Sequence, residues 1–421
     1  MPFVLRSTSF LTGFLDSTYS ATKFPRSSTI PSFFRRSHPS PLTSTRPFAA
    51  SRMDGSKDSS KQKKYWNRED SAHGEYSYLD PNKIVREAKI VSLSDPEDPA
   101  NIALFHGTMP PGATFLGAGM TPNDFDIEEL NSVHKPNVLF MSPSCPNAAK
   151  ILPELLSAVP SLEWVHARSA GIDFISSPEL GATPESVYVT NAKGQFSSTL
   201  AEYTMMACSY FAKDLPRLMR QKKSKNWGKY NVDELRGKTM GIVGYGDIGR
   251  ACAKLASVYG MRIIALRRNP ALSEDDPLCD TVYGTDKKSL NQLMSESDYV
   301  VCSAPSTIET RGMVNADAFK AAKDGLVFIN LGRGPVVDEN AMIEALKEGR
   351  LKGAALDVFT VEPLPQESEL WELENVLLSP HNMDQTTTFM HEATEFFVQE
   401  NLPRFMLGET LLNPVDKILG Y

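Results

Sequence analysis

Short apolar runs alternate with segments of helical periodicity from Lys89 onward. The runs KIVSL, NVLFMS, LEWVHA and SVYVTN have the length and the apolar content of buried strands, and AAKILPELLSAV (148–159) carries apolar residues at helical spacing. IALF (102–105) is a further candidate strand. Because strands that alternate with helices pair in parallel, this half of the chain predicts an α/β layer with a parallel sheet.

A second unit with the same rhythm follows a long helical pattern at 199–219. It opens with TMGIVG, and a further helical pattern, EATEFFVQENLPRFM (392–406), lies near the C-terminus. This rhythm is typical of a doubly wound sheet, so we expect an α/β fold with two doubly wound parallel-sheet domains. The apolar runs of the second unit are YVVCSA (299–304), LVFINL (326–331), GAALDVF (353–359) and NVLLS (375–379).

The motif GxGxxG stands between two of these elements, as Gly244-Tyr245-Gly246-Asp247-Ile248-Gly249. The strand TMGIVG precedes it, a helix follows, and MRIIAL completes a βαβ unit. In such a unit the glycines permit a tight turn, close approach of a pyrophosphate and close helix–strand packing. The motif therefore predicts a dinucleotide site. We also expect Ala304, at the end of the apolar run YVVCSA, to contact the cofactor. The alternative is a turn whose glycines serve packing only.

Arg267 and Arg268 follow the second strand of this unit, where an acid would bind the ribose hydroxyls of NAD. A guanidinium there can bind a 2′-phosphate with two hydrogen bonds. We therefore expect NADP rather than NAD, with NAD as the alternative if both arginines point into solvent.

Three ionisable residues each follow an apolar strand closely: Arg333, Glu362 and His381. Because the carboxyl ends of parallel strands open on one edge of the sheet, we expect these side chains near the cofactor. Histidine is a suitable proton donor near neutral pH, a carboxylate can orient it, and arginine can bind a substrate carboxylate. Taken singly, each could be structural; together they predict reduction of a 2-oxo acid by hydride and proton transfer.

The composition of the chain gives no indication of a nucleic-acid, membrane or metal partner. The chain has 421 residues and a net charge of −7, so it lacks the basic balance of a nucleic-acid binder. No apolar run reaches the ~20 residues that span a bilayer. The five cysteines form no CxxC pair and no cluster with metal-ligand spacing, so we expect no metal and interpret them as buried thiols in a reducing compartment: Cys145, Cys208, Cys252, Cys279 and Cys302.

Residues 1–52 have a different composition, rich in Ser, Thr, Pro and Arg with a single acid, Asp16. This composition is typical of an organelle transit peptide and cannot bury enough apolar surface to fold alone. With the polar linker 54–75, we expect residues 1–75 to comprise a transit peptide and a disordered linker, with a plastid (chloroplast) favoured ahead of a mitochondrion. Two alternatives stay open: an ordinary disordered tail, and a cytosolic form that starts at Met53.

With these motifs the chain resembles the D-isomer-specific 2-hydroxyacid dehydrogenases, the family of phosphoglycerate dehydrogenase and glyoxylate/hydroxypyruvate reductase. The resemblance extends over about residues 90–420. The matching stretches are RSAGID, VTNAKG, LAEYTM, ELRGKTMGIVGYGDIG, ETRGMVN, FINLGRGPVVDENAMIEAL, GAALDVFTVEPLP and NVLLSPH.

The resemblance implies a homodimer of two-domain subunits, with the active site in the cleft between a flavodoxin-like substrate domain and a Rossmann cofactor domain. The substrate domain would comprise residues 85–197 with 384–421, and the cofactor domain residues 198–383.

The resemblance also implies roles for single residues. Arg333 would bind the substrate carboxylate and carbonyl, Glu362 would keep His381 protonated, and His381 would be the acid in reduction. Asp357 would contact the nicotinamide carboxamide. The backbone of Ser169, Ala170 and Gly171 would receive the substrate carboxylate.

Two features depart from the family pattern. Asn382, Met383 and Asp384 follow the histidine where small residues are common, and Lys193 stands in the VTNAKG turn. Lys193 could attract an acidic substrate or face solvent. We therefore predict an enzyme that moves a hydride between a nicotinamide cofactor and a small 2-oxo or D-2-hydroxy acid. The alternative is a catalytically weak, NAD(P)-sensing relative that binds partner proteins.

Overall fold

A computed structural model of the chain describes residues 81–98, 101 and 109–420. The predicted targeting segment 1–75 and the candidate strand 102–105 lie outside the described residues. None of the helices within the described ranges is long and apolar enough to cross a membrane.

The first half of the described chain forms a five-stranded parallel sheet in the order β2-β1-β3-β4-β5. This is the flavodoxin-like order, in which the chain winds outward in both directions from β1 and β3. The central strands are mostly apolar and, apart from Lys89 in β1, buried, as expected for strands covered by helices on both faces. The strands are β1 (Ala88–Leu93), β2 (Ala113–Gly119), β3 (Val138–Met141), β4 (Trp164–Ala167) and β5 (Tyr188–Asn191).

The second half forms a seven-stranded parallel sheet in the order β12-β11-β10-β9-β6-β7-β8. The order reverses between β6 and β9, and ligands of such sheets bind at this switch point. The strands are β6 (Thr239–Val243), β7 (Arg262–Leu266), β8 (Thr281–Tyr283), β9 (Tyr299–Cys302), β10 (Leu326–Asn330), β11 (Leu351–Leu356) and β12 (Val376–Leu378).

Helices cover both faces of the two sheets, and each face has its own apolar core. Two doubly wound parallel sheets confirm the predicted fold class. The longer helices are Ala148–Ala158, Ser197–Ala212, Leu215–Lys223, Asp247–Val258, Lys287–Glu296, Glu339–Lys347 and Phe389–Phe396; the shorter ones are Ile127–Glu129, Pro178–Gly181, Ala316–Ala321 and Leu402–Leu407.

The C-terminal segment returns to the five-stranded sheet. Phe397 and Phe405 lie 5.2 Å and 5.1 Å, between ring centroids, from Trp164 of β4. Asn191 at the end of β5 donates its N–H to the carbonyl of Asn413. Residues at both ends of the described chain therefore share one core. The domain limits 85–197 with 384–421 and 198–383 stay a prediction.

The predicted long helix over 199–219 is wrong. The structure has two helices, Ser197–Ala212 and Leu215–Lys223, separated at Asp214, whose φ is +51°. Pro216 has no N–H for a continuous helix, and the Asp214 side chain instead accepts from the N–H of Arg217 as the cap of the second helix. The C-terminal pattern is helical, as predicted, and contains a π-helical segment, Phe397–Asn401, between the α-helices Phe389–Phe396 and Leu402–Leu407.

The structure confirms part of the interpretation of the cysteines as buried thiols. All five cysteines are unpaired, and Cys279 alone among them is not fully buried. Burial raises the pKa of Cys252 to about 11, so this thiol stays protonated and unreactive at neutral pH.

Candidate active site

The glycine turn follows β6 and precedes the helix Asp247–Val258, as the motif predicts. Gly244 has φ +96°, and a Cβ there would lie 2.7 Å from the backbone N of Ala304. A Cβ on Gly249 would lie 2.7 Å from the carbonyl oxygen of Gly244, whereas one on Gly246 would meet nothing within 4 Å. Two glycines thus serve close packing, and the third leaves open space at the helix N-terminus. This arrangement fits the pyrophosphate of a dinucleotide.

The other motif residues support the turn. Tyr245 and Ile248 pack into the core beneath it, and burial raises the pKa of the Tyr245 hydroxyl. Asp247 accepts a hydrogen bond from the hydroxyl of Ser197. Ala304, after β9, is buried against Gly244. Tyr245 is therefore part of the core below the turn, whereas Ile248 packs against that core and stays partly exposed.

Arg267 and Arg268 come directly after β7, which pairs with β6. The guanidinium of Arg267 donates to the hydroxyl of Ser273, a residue of the short 3₁₀ turn Pro270–Ser273. Arg268 is half exposed and lies 4.0 Å from Glu309. Both arginines therefore lie just beyond the end of β7, the neighbour of the strand that leads into the glycine turn, and Arg267 has a partner that orients it.

Arg333 follows β10 and connects the two sheets. Its Nε and Nη2 atoms both lie 2.9 Å from Oδ2 of Asp173, which follows β4, and its Nη1 donates to the carbonyl of Gly332 at 2.8 Å. Gly171 lies against the guanidinium, since a Cβ on Gly171 would approach Nη2 to 1.7 Å. Arg333 thus lies beside the predicted substrate loop, as expected, and Asp173 is a partner that the sequence did not indicate.

The loop at 169–171 is fixed through its own carbonyl groups. The carbonyl of Ser169 accepts from the N–H of Ala192, that of Ala170 accepts from the Asn191 side chain at 2.6 Å, and that of Gly171 accepts from the Ser169 hydroxyl at 2.6 Å. The end of β5 and the residue that follows it therefore hold two of the three loop carbonyl groups, and the loop itself holds the third.

His381 and Glu362 form a pair. Nδ1 of His381 lies 2.7 Å from Oε2 of Glu362, and Oε1 of Glu362 accepts from the N–H of Phe359 at 2.9 Å. Because an ionised carboxylate only accepts hydrogen bonds, Nδ1 is the donor and Nε2 is the atom left for a substrate. The structure thus brings together the histidine and the carboxylate that the sequence predicted.

Asp357 anchors the turn that carries His381. It is buried after β11 and accepts from the Ser379 hydroxyl at 2.7 Å and from the N–H groups of Asn382 at 3.1 Å and Met383 at 3.4 Å. Burial raises the pKa of the Asp357 carboxyl, although these hydrogen bonds act in the opposite direction. The contact predicted with the nicotinamide carboxamide stays a prediction, because here both carboxylate oxygens hold the protein's own turn.

Asp384, one of the residues that depart from the family pattern, is partly buried and lies close enough to His381 and Arg333 for their charges to act on it. Burial raises the pKa of its carboxyl, and the charges that act against this rise are those of His381 and Arg333. Its Oδ1 atom is buried and has no hydrogen-bond partner. The sequence singled out Asp384 as an unusual neighbour of His381 but did not predict its proximity to Arg333.

Comparisons with known proteins agree on a family. Residues 205–382 match the NAD binding domain of the D-isomer specific 2-hydroxyacid dehydrogenases. A glyoxylate reductase of Thermococcus litoralis is 36% identical over 280 residues, which cover 64% of this chain and 81% of that protein. A glyoxylate reductase of Korarchaeum cryptofilum is 35% identical over 273 residues, covering 63% and 79%.

Solved structures give the same result. An NADPH-dependent glyoxylate/hydroxypyruvate reductase of Sinorhizobium meliloti, in complex with NADP and sulfate, has a TM-score of 0.65 and 26% identity and covers 80% of this chain and 100% of its own. A D-isomer specific 2-hydroxyacid dehydrogenase of Xanthobacter autotrophicus, in complex with NADPH and MES, has a TM-score of 0.65, 28% identity and the same coverage.

Proposed function

This chain belongs to the D-isomer specific 2-hydroxyacid dehydrogenase family, and from that premise we propose that it reduces small 2-oxo acids such as glyoxylate and hydroxypyruvate with NADPH. It is an NAD(P)-dependent oxidoreductase of 2-oxo and D-2-hydroxy acids. The observation that carries the proposal is the 2.7 Å pair of His381 and Glu362, on the same sheet edge as Arg333 and the glycine turn. Relatives named as reductases favour catalysis over a partner-binding, NAD(P)-sensing role.

The proposed mechanism uses three side chains. When bound, the nicotinamide supplies the hydride that attacks the carbonyl carbon of the substrate. Arg333 binds the substrate carboxylate and polarises the carbonyl through its N–H groups. His381 holds a proton at Nε2 and gives it to the carbonyl oxygen, while Glu362 fixes the ring through Nδ1 and stabilises its positive charge. In the oxidation direction Nε2 takes the proton back.

The preference for NADP rests on Arg267 and Arg268. Arg267 is held by Ser273 beside the glycine turn, where a guanidinium can bind a 2′-phosphate through two hydrogen bonds. Two of the similar structures are NADP or NADPH complexes. Arg267→Asp should shift the ratio of kcat/KM for NADPH over NADH towards NADH by about tenfold or more. An unchanged ratio would reject this interpretation of Arg267.

A steady-state screen tests the reaction itself. We expect oxidation of NADPH with glyoxylate or hydroxypyruvate, and weaker activity with NADH. Purified protein that binds NADPH but reduces none of glyoxylate, hydroxypyruvate, pyruvate and phosphohydroxypyruvate would support the partner-binding alternative instead.

Two further proposals follow from the sequence and the family. The basic, acid-poor segment 1–52 supports import into a plastid, and family membership supports a homodimer. A fluorescent fusion of residues 1–60 should enter plastids, and a fusion that stays cytosolic would rule out the transit peptide.

Light scattering of the purified protein should give the mass of two chains, and the mass of one would contradict the dimer.

A further inference from the structure

Two acidic side chains flank Arg333, the residue proposed to bind the substrate carboxylate. Asp173 contacts it directly, because its Oδ2 lies 2.9 Å from both Nε and Nη2. Asp384 follows His381 by three residues in the same turn, its Oδ1 atom is buried without a hydrogen-bond partner, and the charges of Arg333 and His381 act on its carboxyl. Neither acid has a part in the proton and hydride transfer described above.

Asp173 occupies the edge of the guanidinium best suited to a carboxylate. The Nε–H and Nη2–H groups of an arginine point in parallel and bind the two oxygens of a carboxylate together. Here both are directed at one oxygen of Asp173, and Nη1 is bonded to the carbonyl of Gly332. The positive charge of Arg333 is therefore largely balanced before any substrate arrives.

The side chains around the site carry an excess of negative charge. Two cations, Arg333 and a protonated His381, contact or act on four carboxylates. A substrate with one carboxylate brings the site one further negative charge, and a substrate with a second anionic group brings two. In a crevice of lowered dielectric, like charges several ångströms apart repel by amounts that change affinity severalfold. The carboxylates are Asp173, Asp357, Glu362 and Asp384.

We propose that Asp173 and Asp384 make the site selective for 2-oxo acids that carry a single negative charge, against those with a second carboxylate or a phosphate. This inference rests on the proposed function, since it names the substrate class of the same site. Specificity of this kind works by repulsion: the two acids do not improve binding of the preferred substrates but exclude their dianionic analogues.

Lys193 is the cation that could oppose this effect. It lies in the turn after β5, and the N–H of its neighbour Ala192 donates to the carbonyl of Ser169 in the substrate loop. If Lys193 attracted a second anionic group, the unmodified enzyme would accept dianions readily. The selectivity of the unmodified protein therefore tests the proposal before any substitution is made.

The test compares two substrates of the same size that differ in one charge. Oxaloacetate carries a second carboxylate, and 2-oxosuccinamate carries an amide in its place. We expect kcat/KM for oxaloacetate to be at least about tenfold below that for 2-oxosuccinamate in the full-length enzyme with NADPH. Because the two compounds share their shape, steric effects of the pocket cancel in the ratio.

Asp173→Asn and Asp384→Asn should each raise the oxaloacetate to 2-oxosuccinamate ratio by about five- to tenfold. Any damage to folding lowers both rates and leaves the ratio readable. Glu374→Gln is the matched control, because Glu374 is an exposed acid that precedes β12 at the opposite edge of the sheet and pairs with Arg220. This control should leave the ratio unchanged.

Three outcomes would count against the proposal. Equal rates with the two substrates in the unmodified enzyme, or a ratio that neither asparagine variant changes, would overturn the charge selectivity alone. A lack of activity with every 2-oxo acid and both cofactors would overturn the proposed function, and the selectivity with it.

Discussion

The two sheets contribute to the crevice in different ways. The seven-stranded sheet supplies the glycine turn, Asp357, Glu362 and His381, and these are held by contacts within that sheet and its loops. The five-stranded sheet supplies the substrate loop and Asp173, and the position of Asp173 is defined by its contact with Arg333 across the crevice. The histidine and its carboxylate partner are thus held within one sheet and its loops, whereas Asp173, proposed to select the substrate, is held by a contact between the two sheets.

The largest effect should follow from removal of His381, the proton donor held within the seven-stranded sheet. His381→Ala should lower kcat for 2-oxo acid reduction by about a hundredfold or more, because general acid catalysis contributes that much. The KM for NADPH should change little, since the glycine turn is untouched. His391→Ala, on the exposed face of the helix Phe389–Phe396, is the control. Near-normal turnover of His381→Ala would remove His381 from the mechanism.

Glu362→Gln tests the support of that acid. The amide keeps the size of the side chain but loses the charge that stabilises the protonated ring, and it cannot accept from both Phe359 and His381 through two oxygens. We expect kcat to fall by roughly tenfold. Glu367→Gln, an exposed acid nearby in the chain, should have no effect. A kcat equal to that of the control would show that the pair does not contribute to turnover.

Gly244→Ala tests the packing on which the dinucleotide site depends. Alanine would combine the positive φ with contacts of 2.7 Å and 2.8 Å to Ala304, so the free energy of unfolding should fall by roughly 3 kcal/mol and NADPH should bind about tenfold more weakly. Gly312→Ala has the positive φ but open space, and it should cost about 1 kcal/mol. Equal effects of the two changes on thermal unfolding would contradict the role of the close contact.

The smallest expected effect is a pH dependence of the discrimination against oxaloacetate. Because burial raises the pKa of Asp384, this acid takes up its proton at a higher pH than an ordinary aspartate, and its negative charge is lost first as the pH falls. The discrimination against oxaloacetate should therefore weaken as the pH is lowered on the acid side of neutrality, for as long as the second carboxylate of the substrate is still ionised. Asp384→Asn should show a flatter profile, and a profile identical to that of the unmodified enzyme would exclude Asp384 as the titrating group.

The sequence predicted those parts of the site that follow from the order of strands. Arg333, Glu362 and His381 each come shortly after a buried apolar run, and parallel strands place such residues on one edge whatever the details of packing. The glycine turn was predictable for the same reason, since its motif and its βαβ context are local.

The parts that the sequence missed depend on contacts between distant residues or on weak patterns. Asp173 and Arg333 are 160 residues apart, and nothing in either neighbourhood indicates the pair. The interruption at Asp214 arises from a cap and a proline inside an otherwise helical pattern. Strands β2 and β8 were not predicted, because they are partly exposed edge strands and β8 has three residues.

A crystal structure of the enzyme with NADP and the unreactive substrate analogue oxamate would show directly whether Arg333, His381 and the nicotinamide meet at the substrate. The account predicts the oxamate carboxylate on Arg333, its amide carbonyl oxygen within hydrogen-bond reach, about 3 Å, of Nε2 of His381, and the nicotinamide beside the carbonyl carbon. Oxamate bound away from Arg333, or an imidazole of His381 turned away from the dinucleotide, would contradict it.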